Sequence, residues 1–190
     1  MNYPNKKTTS NTLSKINSNK NRGMSLEEDI NETNAYYLKN DIAIIHKKPT
    51  PIQVVDVSYP SRDKCMITKA FYKTPSTTDY NGIYKGKYID FEAKETISKT
   101  SFPLRNIHDH QIEHLKAIVR HGGIGFLIIS FKEYGECFLV MLDFVLKYVN
   151  GPTKSIPYKD LKENCPIIKY NYSPRLDYLS TLDGILTVNY

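Results

Sequence analysis

Three acidic side chains, a hydroxyl and an amine are spaced so that one short hairpin would gather them. The stretch from Thr77 to Lys94 reads Thr-Thr-Asp-Tyr-Asn-Gly-Ile-Tyr-Lys-Gly-Lys-Tyr-Ile-Asp-Phe-Glu-Ala-Lys. Tyrosine-rich runs flank Lys85-Gly86, and a glycine-bearing turn between two such runs predicts a β-hairpin. A two-residue loop sets the register: Tyr84 faces Lys87, Asn81 faces Asp90, Asp79 faces Glu92 and Thr77 faces Lys94. Side chains alternate along a strand, so Asp90, Glu92 and Lys94 share one face with Thr77 and Asp79, while Ile89, Phe91 and Ala93 point the other way. Directly opposed carboxylates have Cβ atoms about 5 Å apart and repel, so something must offset their charge. The simplest candidate is a hard divalent cation such as Mg²⁺, which takes one or two carboxylates plus waters and phosphate oxygens. An amine two residues beyond Glu92 could then stabilise charge developing on a phosphate or orient an attacking water. That is chemistry for cutting a phosphodiester. The same spacing equally describes the solvated polar face of an edge hairpin.

The elements that must position this stretch follow from pattern. Ser25 followed by Glu28 is a capping-box signature, and Leu26, Ile30, Thr33, Tyr37 and Leu38 fall at helical spacing, predicting a helix over 26–39. The acids near its start, Glu27, Glu28, Asp29 and Glu32, suit the helix dipole, with a supporting site carboxylate as the other reading. Ile42 to Ile45 is a short buried strand, and the prolines of His46-Lys47-Lys48-Pro49-Thr50-Pro51 mark a turn. Residues 57–76 read as a projection from the sheet. There Arg62, Lys64, Lys69 and Lys73 interleave with Phe71 and Tyr72, which suits phosphate contact plus base stacking, or an exposed excursion with no ligand. Beyond Lys94, a run of hydroxyls and amines that includes Lys99 could hold phosphate oxygens or simply be a solvated loop. Asn106 or Asp109 caps the next helix, whose stripe is Ile112, Leu115 and Val119; Gln111 rides the edge of that stripe, from where its amide oxygen could reach the sheet. His110 and His114 share a helix face without any zinc motif around them, and read as surface or packed side chains. Gly122-Gly123 ends the helix. Strands over 124–130 and 137–142, short helices near 144–148 and 158–163, and a return of 177–180 onto the sheet complete an α/β domain: a single mixed sheet flanked by helices.

Composition narrows the class. The 190 residues suffice for one domain, and 15 Tyr against no Trp supplies polar-tipped aromatics for wet interfaces. Three scattered cysteines without a Cys-x-x-Cys support neither a disulfide framework nor a cysteine zinc site. No apolar run approaches the roughly 20 residues that span a bilayer, and none follows Met1, so the reading is a cytoplasmic protein without membrane contact. The net charge of +6 is concentrated in residues 1–23, which hold Lys6, Lys7, Lys15, Lys20 and Arg22 and no acid. This basic, Asn/Ser-rich arm is expected to be disordered and either contacts nucleic-acid phosphates or is a solvated tail.

Several segments together resemble the RecU family of Holliday junction resolvases, in the PD-(D/E)xK nuclease superfamily. They are Asn21-Arg22-Gly23-Met24, Asn31-Glu32-Thr33-Asn34, His46 through Pro51, Thr77 through Gly86, Tyr88 through Thr96, Lys99 through Leu104 and His108 through His114. The resemblance implies a restriction-endonuclease-like domain over 24–190 whose projection, 57–76, is a stalk entering the open centre of a four-way DNA junction. It implies a homodimeric, Mg²⁺-dependent endonuclease making symmetric cuts in recombination and repair, with a recombinase as a further partner. Carried over by position, Thr77, Asp79, Glu92 and Gln111 would be metal ligands and Lys94 would stabilise the transition state; Asp90 is a secondary candidate. Thr78 stands where the superfamily pattern has proline, as is usual for the RecU type. The alternative on the same fold is a non-catalytic junction-binding or recombinase-modulating protein.

Overall fold

A computed structural model describes residues 25–73 and 77–188; the expectation for the arm at 1–23 lies outside them. Ser25 Oγ accepts from Glu28 N at 3.3 Å while Ser25 N donates to Glu28 Oε2 at 2.7 Å, the reciprocal cap that starts α1 (Leu26–Lys39). The chain continues as β1 (Ile44–Lys47), β2 (Ile52–Ser61), β3 (Lys64–Tyr72), β4 (Tyr80–Tyr84), β5 (Lys87–Thr96) and β6 (Ser101–Pro103). After these come α2 (Asp109–Arg120), β7 (Ile124–Phe131), β8 (Glu136–Met141), α3 (Leu142–Val149), β9 (Ser155–Pro157), α4 (Tyr158–Asn164), β10 (Ile167–Ile168) and α5 (Tyr178–Val188).

Six strands form one sheet in the order β1-β4-β5-β7-β8-β10. β5 and β7 are parallel, joined by the α2 crossover, and their neighbours pair antiparallel. The sheet is therefore mixed, with β5 at its interior rather than on the edge. One face packs against α1 and α5 through Leu26, Ile30, Tyr37, Phe91, Phe126, Tyr178 and Leu182. The other packs against α2, α3 and α4 through Ile112, Leu115, Leu127, Ile129, Val145 and Leu161. Tyr80, Phe91 and Phe126 stack across three strands at centroid separations of 4.9 and 4.8 Å, fixing β4, β5 and β7 in lateral alignment.

Two expectations shift. The projection begins at Ile52, not 57, and is an antiparallel ribbon of β2 and β3 forming its own two-stranded sheet. Every residue of both strands is exposed, so valines and isoleucines there signalled β propensity rather than core. The stretch beyond Asp177 is also more than a return to the sheet: it is the helix α5, docked on α1 by Tyr178 and Leu179. Its lead-in is pinned to α1 by polar contacts, with Leu176 N donating to Thr33 Oγ1 at 2.9 Å and Arg175 Nε to Asp29 Oδ1 at 2.7 Å.

Candidate active site

The hairpin closes as its turn chemistry requires. Lys85 and Gly86 both have positive φ, 49° and 72°, the geometry of a two-residue turn matching strand twist, in which glycine bears the second position without strain. The ladder runs Tyr84↔Lys87, Ile83↔Tyr88, Gly82↔Ile89, Asn81↔Asp90, Tyr80↔Phe91. It stops there. Asp79 does not oppose Glu92 as a ladder partner, nor Thr77 Lys94, because the segment at 77–79 leaves the strand and is held from two sides. Lys48 N donates to Asp79 O at 2.7 Å, and Asp79 N donates to Glu92 Oε2 at 3.1 Å. The Glu92 carboxylate thus meets the Asp79 main-chain amide, while the Asp79 carboxylate stays close enough to reinforce burial in holding the Glu92 carboxyl up.

Glu92 and Asp90 are both fully buried, on the α2 side of a strand flanked by β4 and β7, which removes the solvated-face reading. Lys94 Nζ lies 2.6 Å from Glu92 Oε1, an atom that receives no directed hydrogen bond. Burial pushes the Glu92 carboxyl up to about 7; the Lys94 ammonium opposes this shift and Asp79 adds to it. A buried acid paired with one lysine and next to a second carboxylate is a site that a cation would complete. Among the described residues no three His, Cys, Asp or Glu side chains converge as a metal cluster. The oxygens expected from the sequence, two carboxylates plus the neutral oxygens of Thr77 and Gln111, are of the kind taken by a hard ion that keeps several waters.

The other expected residues fall around this pair unevenly. Thr77, half-buried, lines a cleft of about 230 Å³ together with Asp79, Thr78, Lys47, Lys48 and Glu27. Gln111 is buried in the first turn of α2, its amide oxygen accepting from His108 N at 3.0 Å, so it serves the start of its own helix. Asp90 takes donors from Lys48, Thr78, Tyr88 and His114. Arg62, Lys64, Lys69, Phe71, Tyr72 and Lys73 are all exposed on the ribbon or at its base, with Lys69 Nζ 5.7 Å from the Phe71 ring centre. Lys99 lies apart, beyond β5, in a 3.4 Å ion pair with Glu133.

Sequence reasoning missed Lys48, Thr78 and His114 as parts of this site. Lys48 reads as one of two lysines in a proline turn, and Thr78 only as the residue standing where the superfamily pattern has proline. Glu27 is one of several acids at a helix start for which a supporting site carboxylate is the other reading; the structure brings it to the cleft in an ion pair with Lys47.

Comparison with known proteins gives this geometry its context. The family model for recombination protein U, RecU, matches residues 21–184. A protein from Bacillus cytotoxicus named Holliday junction resolvase RecU is 53% identical over 169 residues, 87% of this chain and 84% of that protein. Its namesake in Staphylococcus aureus is 54% identical over 169 residues, 87% and 81% of the two chains. Among solved structures, Hjc, a Holliday junction resolvase of Archaeoglobus fulgidus, aligns over 72% of this chain and 89% of its own at 10% identity, with a TM-score of 0.41. On the family match and the identity of these relatives, the chain belongs to the RecU family.

Proposed function

We propose that this protein is a Mg²⁺-dependent endonuclease that resolves four-way DNA junctions by paired, symmetric phosphodiester cuts, acting in the cytoplasm as a homodimer. The observation that carries the reading is the buried Glu92 carboxylate held between the Asp79 amide and the Lys94 ammonium. A site with only a structural role gains nothing from burying an acid whose charge is this incompletely matched. In a phosphodiesterase the same arrangement has a purpose. Asp79 and Glu92 would hold the cation, with Thr77 at the cleft wall and Gln111 at the margin of the set. When bound, Mg²⁺ supplies Lewis-acid polarisation of the scissile phosphate and lowers the pKa of a coordinated water.

The chain's own groups do the rest. Lys94, partly exposed and tethered to Glu92, presents its ammonium where charge builds on the phosphate oxygens. Asp79 is fixed at both its amide and its carbonyl, so its carboxylate departs from a rigid backbone. The exposed ribbon offers lysines, Arg62, Phe71 and Tyr72 to a junction's phosphates and unstacked bases.

The test is incubation with a synthetic mobile four-way junction and its linear duplex counterpart, with Mg²⁺ or with chelator. Paired nicks at symmetric positions on the junction alone, only with Mg²⁺, are expected. Tight junction binding without cuts in any divalent metal would replace the nuclease with a junction-binding protein. Cutting of the linear duplex at defined sites would point to a restriction-type enzyme instead.

A further inference from the structure

Asp90 is fully buried on β5 and is met by four donors from four segments. Lys48 Nζ, at the end of the β1 connection, donates to Oδ2 at 2.9 Å. Tyr88 OH, two residues back on β5, donates to the same oxygen at 3.0 Å. His114 Nε2, on α2, lies 3.1 Å from it. Thr78 Oγ1 donates to Oδ1 and itself accepts from Lys48 Nζ at 3.0 Å.

A carboxylate offers about two lone-pair sites on each oxygen; Lys48, Tyr88 and His114 crowd Oδ2, and Thr78 holds Oδ1. Asp90 does not lie open as a ligand: it is fully buried and both its oxygens are engaged by the protein, although it shares a sheet face with Glu92. What it does have is a grip on each segment that carries a candidate ligand. Thr78 lies between Thr77 and Asp79. Lys48 bonds the Asp79 carbonyl through its own backbone N–H at 2.7 Å, so side chain and main chain of one residue clamp that segment. His114 lies one turn beyond Gln111 on α2. The approach of α2 is made close by Gly125, the β7 partner of Asp90. A Cβ at Gly125 would lie 3.1 Å from Val119 Cγ2 and 3.3 Å from Leu115 Cδ2, so the helix sits against bare backbone beside Asp90.

We propose that Asp90 is a positioning residue that assembles the metal-ligand set, orienting Asp79 through Thr78 and Lys48 and fixing α2 through His114, without itself binding the ion. The proposal rests on the metal-dependent nuclease reading above. Its direct consequence is that loss of the Asp90 carboxylate lowers metal affinity before it affects anything else, as happens when groups that orient metal ligands are removed.

The full chain is titrated with Mn²⁺ alone, without DNA, by calorimetry or by loss of the free-ion spin-resonance signal; binding to an intact junction in chelator and the Mg²⁺ dependence of cleavage are measured alongside. Asp90→Asn is expected to raise the Mn²⁺ Kd by about ten-fold or more and to shift the Mg²⁺ midpoint for cleavage equally, with cleavage recovering at saturating metal and junction affinity unchanged. Wild-type metal affinity in a folded Asp90→Asn protein overturns the proposal, whatever its melting temperature, since a purely structural role would alter melting and leave the Kd. If Asp90→Asn does not fold, His114→Ala and His114→Gln decide. Weakened metal binding in the first, restored in the second by an amide that can reach the same oxygen, supports the proposal; unaltered binding in His114→Ala overturns it. A wild-type protein that neither binds Mn²⁺ nor cuts, with Glu92→Gln indistinguishable from it, overturns the nuclease reading and this proposal with it. Wild-type binding and cutting with Asp90→Asn unaffected overturns this proposal alone.

Discussion

At the scale of single residues, Glu92 carries the sharpest consequences. Its carboxyl is raised by burial from 4.5 to about 7. A group whose folded value lies above its unfolded one binds its proton more tightly in the folded state. Stability from this group is therefore fully present below about 4.5 and is lost as pH rises through about 7. Melting of the metal-free protein followed from about pH 5 to about pH 8 is expected to show this decline, and Mg²⁺, which favours the ionised form, should flatten it. Glu92→Gln should melt higher than wild type at about pH 8 without metal, by on the order of 1–3 kcal/mol, while losing cleavage and keeping junction affinity. A flat metal-free profile would show that the carboxyl is ionised without cost. Lys94→Ala should slow cleavage by roughly 10²–10³-fold at saturating Mg²⁺, with junction binding intact; a binding defect of similar size would make Lys94 a mere anchor. Strand alternation alone made the shared face of Glu92 and Lys94 legible in the sequence, whereas Asp79 reaches Glu92 through its main-chain amide beyond the end of the ladder, held there by Lys48. Lys48, Thr78 and His114 were not legible. Their meeting point, Asp90, depends on how the β1 connection and α2 dock against β5, which no local spacing encodes.

At the scale of elements, legibility follows the range of the forces involved. The helix over 26–39 could be read to its ends because a capping box and a 3.6-residue stripe are both local. The interior place of β5 could not, since its buried carboxylates break the rule that a continuous apolar run marks a central strand. α5 was hidden because its lead-in is held by Thr33 and Asp29 of α1 and its first turn by Tyr37, all far away in sequence. The β2–β3 ribbon is the converse case: strong β propensity with no core beneath it. Since both its strands are exposed throughout, its tip contributes little burial to the fold. Replacing Lys64, Lys69 and Lys73 by Gln should leave the melting temperature nearly unchanged. Each lysine that contacts a phosphate should lower the slope of log affinity against log salt by about 1 when removed. Phe71→Ala and Tyr72→Ala should weaken junction binding with little change in that slope, by about 1–3 kcal/mol for each ring that stacks on a base. Salt titrations of junction and linear duplex binding check both. An unaltered slope in the triple lysine variant would move the DNA contact away from the ribbon.

At the scale of the whole molecule, the substrate's symmetry sets the demand. A four-way junction with two equivalent strands to be cut is two-fold symmetric, and one chain offers one Glu92–Lys94 pair. Symmetric cuts therefore call for two chains related by the same two-fold axis, each supplying one site and one ribbon. The +6 charge, most of it in residues 1–23, would be doubled in such a pair and would strengthen attraction to the junction's phosphates at low salt. The geometry makes a prediction that the site alone does not. Dimers formed from one wild-type chain and one Glu92→Gln chain, separated by distinct affinity tags, should bind the junction as well as wild type but nick one strand per encounter. Wild-type dimers should give paired nicks and linear products. Denaturing gels of end-labelled strands resolve the two cases, and sedimentation at micromolar concentration should find two chains per particle. Paired nicks from the mixed dimer would mean that one site visits both strands in turn, and a monomer that resolves junctions would mean the same; either result removes the need for a two-fold enzyme and leaves the ribbon, rather than the partner chain, to hold the junction open between cuts.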